Sequence, residues 1–149
     1  MQVEILQAKT ADINLIVQMI EVFYEHEKIN FNYEKQCKVL SELISENNYG
    51  RIFLVKMNDD LAGYFVLTNC YSLEFNGRFL LLDELYIKPE FRKLGIASKI
   101  IDYCKFHCMQ NKISALRLEV DFENSNAYNL YSKLGFVNNN RNIMTYYLQ

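Results

Sequence analysis

The chain has 149 residues, half of them apolar and 23% charged, which suits one globular domain with a core of its own. Its net charge of −2 argues against a nucleic-acid partner, because phosphate contacts ask for a basic excess. No apolar run reaches the ~18 residues of a membrane span, and the opening "MQVEILQAKTADINLI" lacks the pattern of a secretory signal, so a cytoplasmic protein with no membrane partner is expected.

Residues 3–8 alternate as an opening strand, and 11–27 carry Ile13, Ile16, Val17, Ile20 and Phe23 as a helical stripe. Residues 33–46 repeat that pattern with Val39, Leu40, Leu43 and Ile44, and the turn from Asn47 to Gly50 ends it. Next come 51–57 and 63–71, a hairpin across "NDDLAG". Asn76-Gly77 precedes "FLLLDELYI" (79–87), a near-continuous apolar strand of the doubly covered kind. A helix is predicted from about Gly95 to Gln110, with Ile96, Ile100, Ile101 and Cys104 facing inward. Residues 115–121 read as a strand and 125–135 as a short helix closed by Gly135. Residues 136–138 and 143–148 read as a closing strand pair around a turn at Asn138–Asn142. The order β-α-α-β-β-β-α-β-α-β-β predicts an α/β (α+β) fold, a mixed sheet with helices on its faces, in a single domain over 1–149.

Cys37, Cys70, Cys104 and Cys108 read as free thiols. Cys104, His107 and Cys108 share helical spacing, but no second ligand pair accompanies them, so no metal is expected.

Two segments carry the chemistry. In the first, the 79–87 strand runs through Pro89 into "EFRKLGIAS" and a helix start. The amides of a first helical turn are unpaired and carry partial positive charge. Gly95 admits close backbone approach, Ala97 is small, and Arg92 and Lys93 add full charges, so the loop can seat a pyrophosphate. A capped turn with two solvated cations is the competing reading. In the second segment, Asn124, Ala127, Tyr131, Gly135 and Phe136 stand at spacings 3, 4, 4 and 1, which also describes a plain amphipathic helix with a core tyrosine.

Taken together, Arg92-x-x-Gly95-x-Ala97 after "LYIKPEF" and Asn124-x-x-Ala127-x-x-x-Tyr131-x-x-x-Gly135-Phe136 resemble the GNAT superfamily of N-acetyltransferases over almost the whole chain. The stretch "YSLEFNGRFLLLDELYIKPEFRKLGIASKI" looks most like its small-amine branch, the diamine and polyamine acetyltransferases. The resemblance implies a mostly antiparallel sheet of about seven strands, acetyl-CoA as acetyl donor, a small-molecule amine as acceptor and a homodimer. It implies that the amides of Arg92, Lys93, Leu94, Gly95, Ile96, Ala97 and Ser98 hold the pyrophosphate, and that Leu85, Tyr86 and Ile87 offer main-chain groups to the pantetheine arm. Asn124 matches the asparagine that contacts the cofactor, and Tyr131 the tyrosine that protonates the departing thiolate. Two departures stand out: Lys93 replaces a usual glycine, and Asp83 a usual glutamate.

Attack on a thioester needs a neutral amine, so a carboxylate must take a proton, directly or through water. Asp83 and Glu84 are the candidates, Asp83 first; on a regular strand they point to opposite faces, and a bulge would alter which reaches the site. Glu21, Tyr24 and Glu25 on the first helix, and Tyr71 before the core strand, are candidate walls for a cationic acceptor. Peptide or protein amines as acceptors, and a non-catalytic acyl-CoA-binding module, stay open as alternatives.

Overall fold

In the computed structural model, which describes residues 2–148, the chain divides into two compact units, one ending at Glu119 and the other beginning at Val120. The first holds a single five-stranded sheet in the order β1-β2-β3-β4-β5. Strands β1 (Val3–Gln7), β2 (Gly50–Met57), β3 (Asp60–Ser72) and β4 (Gly77–Ile87) form an antiparallel meander, and β5 (Ala115–Leu118) runs parallel to β4. The β2–β3 turn is tighter than the sequence pattern suggests. Asn58 and Asp59 both adopt left-handed backbone, with φ of 50° and 72°, so a two-residue turn suffices and β3 starts at Asp60.

Period-two alternation sends the strands' side chains to two different helical layers. Ile52, Leu54, Tyr64 and Val66 join Ile16, Val17, Ile20 and Leu40 in one core, under α1 (Ile13–Glu27) and α2 (Tyr33–Ser45). The intervening Phe53 and Phe65 stack at 4.8 Å on the opposite face and meet Tyr103 of α3 (Ile96–Gln110) at 5.3 and 6.1 Å. Helices therefore cover both faces. The α2 start is fixed by Asn32, whose side chain accepts from the Lys35 amide at 2.9 Å.

Strand β4 does not keep one alternation along its length. Val66 pairs with Glu84 while Leu67 pairs with Leu82, so Asp83 has no partner across the ladder, a β-bulge. The parity flips there. Leu80 lies opposite Asn69 and Leu82 opposite Leu67, on the α3 side, whereas Glu84 and Tyr86 follow Val66 and Tyr64 onto the α1–α2 side. The β4–β5 ladder stops at Leu82↔Leu118, which leaves the β4 edge from Asp83 to Ile87 without a strand partner on that side. On its other side β3 approaches closely, since a Cβ on Gly63 would strike the Tyr86 carbonyl oxygen.

The second unit contains α4 (Ser125–Lys133), entered through Asn124 and left through Gly135 at φ 91°. Residues 136–138 and 143–148 form no strand, so the sheet has five strands and not the seven expected. The asparagine run between them competes with a ladder: the Asn138 side chain accepts from the Asn140 amide at 2.8 Å, and Asn140 turns left-handed at φ 54°. Ile143, Met144, Tyr146, Tyr147 and Leu148 stay exposed, and strand preference expresses itself only where a pleated face is buried. Strand β5 also ends at Leu118, three residues before the expected limit.

Candidate functional site

The β4 bulge brings both neighbouring carboxylates to one face. Leu82 faces α3, so alternation turns Asp83 toward the α1–α2 side, and after the unmatched residue Glu84 faces that side too. The regular-strand expectation that only one of them reaches this face is thereby corrected.

Glu84 is half-buried and held from two directions. Tyr24 from the last turns of α1 donates its hydroxyl to Oε1 at 2.5 Å, and Tyr64 from β3 donates to Oε2 at 2.8 Å. Aromatic rings close around them: Tyr64 and Tyr86 lie 5.9 Å apart, Phe23 and Tyr86 5.6 Å, and Tyr24 and Phe31 6.5 Å. Burial raises the Glu84 carboxyl above its ordinary range, against the lowering effect of the two hydrogen bonds, and the neighbouring Asp83 charge adds to the rise. Burial, the Glu84 hydrogen bond and the Glu84 charge push the Tyr24 hydroxyl up. Burial and the Glu84 charge do the same for Tyr64, so both remain proton donors at any physiological pH. Asp83 is more open, and the partial desolvation it suffers also raises its carboxyl.

From Ile87 the chain turns through a 3-10 turn at Pro89–Phe91 into the loop before α3. The Arg92 guanidinium folds back, its Nε donating to the Ile87 carbonyl at 2.8 Å. Lys93 and Gly95 both take left-handed backbone, at φ 61° and 79°. Gly95 precedes the helix with no side-chain cap, and the Ile96, Ala97 and Ser98 amides have no intrahelical acceptor. A Cβ at Gly95 would meet nothing within 4 Å, so the glycine serves its conformation and leaves space above the loop. Leu94 is exposed and Ile96 is buried beneath the turn.

Other predicted residues fall elsewhere. Glu21 and Glu25 are exposed on α1 and do not join the Glu84 cluster, although Tyr24 between them does. Tyr71 is exposed beside Arg78 at the far end of β3, about 23 Å along the strand from Tyr64. In the second unit, the Asn124 side-chain oxygen caps α4 by accepting from the Ala127 amide at 3.1 Å. The Tyr131 ring meets Phe136 edge-on at 5.8 Å.

Residues 17–136 match the sequence profile described as the acetyltransferase (GNAT) family, a stretch that includes β4, the loop before α3 and the α4 segment. The chain belongs to the acetyltransferase (GNAT) family. A thialysine N-epsilon-acetyltransferase of Bos taurus is 31% identical over 146 residues, covering 89% of this chain and 83% of that relative. The fold of a possible acetyltransferase from Clostridium difficile 630 superposes with a TM-score of 0.85 at 24% identity, over 100% of this chain and 99% of that one. A predicted acetyltransferase of Clostridium acetobutylicum, solved with acetyl-CoA, superposes with a TM-score of 0.79 at 17% identity, over 97% and 96% of the two chains.

Within this GNAT chain, sequence reasoning missed Tyr64 as a partner of Glu84. A signal was there: Tyr64 stands in the apolar run "GYFVL", and a tyrosine buried in such a strand needs a partner for its hydroxyl.

Proposed function

We propose that the chain moves an acetyl group from acetyl-CoA to the primary amine of a small cationic metabolite, by direct attack in a ternary complex, with residues 1–149 acting as one catalytic domain. The observation that carries this reading is the pair of carboxylates on one face of β4, one held by two tyrosine hydroxyls and the other unshared. Each Glu84 oxygen keeps a second lone-pair direction beyond its tyrosine, so the carboxylate can also accept from an ammonium group. Asp83 has no hydrogen-bond partner among the described residues and is raised toward neutrality, which fits it to take the amine's proton through a water. The thialysine acetyltransferase relatives support a small amine as acceptor.

The loop fits the donor. Uncapped amides at Ile96, Ala97 and Ser98, open space over Gly95, and the cations Arg92 and Lys93 would hold a pyrophosphate. The β4 edge from Leu85 to Ile87, free of a strand neighbour past Leu82, would hold the pantetheine arm and direct an amide at the thioester carbonyl. When bound, acetyl-CoA supplies an activated acetyl group with a thiolate as leaving group. Asn124 would contact it from the α4 cap. The Tyr131 hydroxyl would donate a proton to that thiolate, since a phenol ordinarily keeps its proton up to a pH of ~10.

An assay for free CoA across a panel of small amines, lysine analogues, diamines and short peptides tests the reading. We expect turnover with small amines and little with peptides. Turnover confined to peptides would overturn the acceptor class. Acetyl-CoA binding without turnover on any amine would overturn the catalytic reading.

A further inference from the structure

A cleft of about 230 Å³ opens at the end of α3 away from Gly95, and none of the residues assigned above to donor or acceptor lines it. Its rim is cationic. Arg51 comes from the start of β2, Arg78 from the start of β4 and His107 from the last turn of α3, over a floor that includes Leu67 and Leu80. Asn48 and Asn111 complete the polar wall, and no Asp or Glu lines the cleft.

The walls are fixed before any ligand arrives. Arg78 Nη2 donates to the Asn111 carbonyl at 2.9 Å, and the Arg78 carbonyl accepts from the Ser114 amide at 3.0 Å. The Asn69 side-chain Nδ2 holds the 47–48 turn by donating to the carbonyls of Asn47 and Asn48, each at 3.0 Å. The His107 ring is seated against Tyr103 at 6.2 Å and Phe53 at 6.4 Å. Arg51, by contrast, makes no ion pair or hydrogen bond among the described residues. Burial first and Arg51 second hold the His107 imidazole below its ordinary pKa, so the ring is neutral at pH 7 and keeps one N–H to donate.

Helix polarity does not account for these cations. The C-terminus of α3 carries roughly half a negative charge, whereas two guanidinium groups bring two positive ones, so the cleft keeps a positive surplus. A planar guanidinium with free donors is the side chain best matched to a carboxylate or phosphate. The volume takes such a group with water to spare. We propose that this cleft binds a small oxyanion, gripped by the Arg51 fork with Arg78 and His107 alongside. His107 stands 12 residues along α3 from Gly95, a rise of about 18 Å, so the cleft is a different site from the donor loop.

The test is an NMR titration of the full chain with inorganic phosphate and, separately, with succinate, following the His107 ring and the backbone amides. Expected are saturable shifts at His107, Arg51, Arg78 and Asn111 with either probe. The tighter of the two assigns the natural group as phosphoryl or carboxylate. Arg51→Gln should weaken binding at least about 10-fold, a loss of about 1.4 kcal/mol. Arg51→Lys, which keeps the charge and loses the fork, should weaken it less and guards against a misfolded first variant. Arg92→Gln should leave the affinity unchanged. Shifts confined to 92–98, Arg51 variants that titrate like the wild type, or no saturation by about 10 mM would each overturn the proposal.

Discussion

Asp83 and Glu84 are sequence neighbours that face the same side of the sheet, because the β3–β4 register skips Asp83. Their surroundings divide the work. Glu84 is anchored by Tyr24 and Tyr64, while Asp83 is unshared and more open. Asp83→Asn should therefore lower kcat by about 100-fold or more, the range of a lost general base, with KM for the amine little changed. Glu84→Gln should act mainly on KM, raising it about 10-fold, through loss of one charge facing the ammonium. Steady-state kinetics with the best amine of the panel decide this. The reverse pattern would exchange the two roles.

The raised Glu84 carboxyl also makes a stability prediction whose sign can be worked out. A carboxyl with a folded-state pKa above its unfolded value binds its proton more tightly when folded. Its ionisation therefore opposes folding as pH rises from the ordinary value of ~4.3 through the raised one. Glu84→Gln removes that opposition and can keep both tyrosine contacts, since the Tyr64 hydroxyl can rotate to accept from the new amide. Denaturant melts of variant and wild type should diverge in the variant's favour between pH 4 and pH 7. A constant difference across that range would show that Glu84 titrates normally. Tyr64→Phe goes the other way: it leaves Oε2 short of a donor inside the core and should cost about 1–3 kcal/mol.

How legible was this site? The layers were readable, because Ile13–Glu27 and Tyr33–Ser45 carry an apolar stripe at helical spacing and β2 and β3 alternate between two cores. The start of α3 was readable because Gly95 marks it. The bulge at Asp83 was not. Nothing in "FLLLDELYI" distinguishes a strand that skips one residue from one that does not, since the skip is defined by Val66 and Leu67 on another strand. The contact between Tyr24 and Glu84 spans 60 residues and is set by how α1 crosses the sheet. The missing sixth and seventh strands show the converse error: "NIMTYYL" has strand composition, but no buried face recruits it.

Lys93 is the loop residue whose identity opposes its conformation. At φ 61° it holds the left-handed backbone that costs a side-chain-bearing residue about 1–2 kcal/mol. Lys93→Gly should therefore raise stability by about 1 kcal/mol, or Tm by about 2–4 °C, while Lys93→Ala should not. If the lysine amine also contacts phosphate, the same Lys93→Gly variant should bind CoA more weakly. Thermal melts and CoA titrations on these two variants separate the conformational effect from the charge.

Gly95 gives the complementary case. At φ 79°, with nothing within 4 Å of the point where a methyl would project, Gly95→Ala meets no clash inside the protein. Its stability cost should be the conformational one alone, about 1–2 kcal/mol. Its effect on donor affinity should be larger, because the added methyl occupies open space at the start of α3, where the pyrophosphate would sit. A CoA dissociation constant raised by 10-fold or more, about 1.4 kcal/mol, with a modest drop in Tm is the expected pair. A Tm loss with unchanged CoA affinity would move the pyrophosphate off this loop.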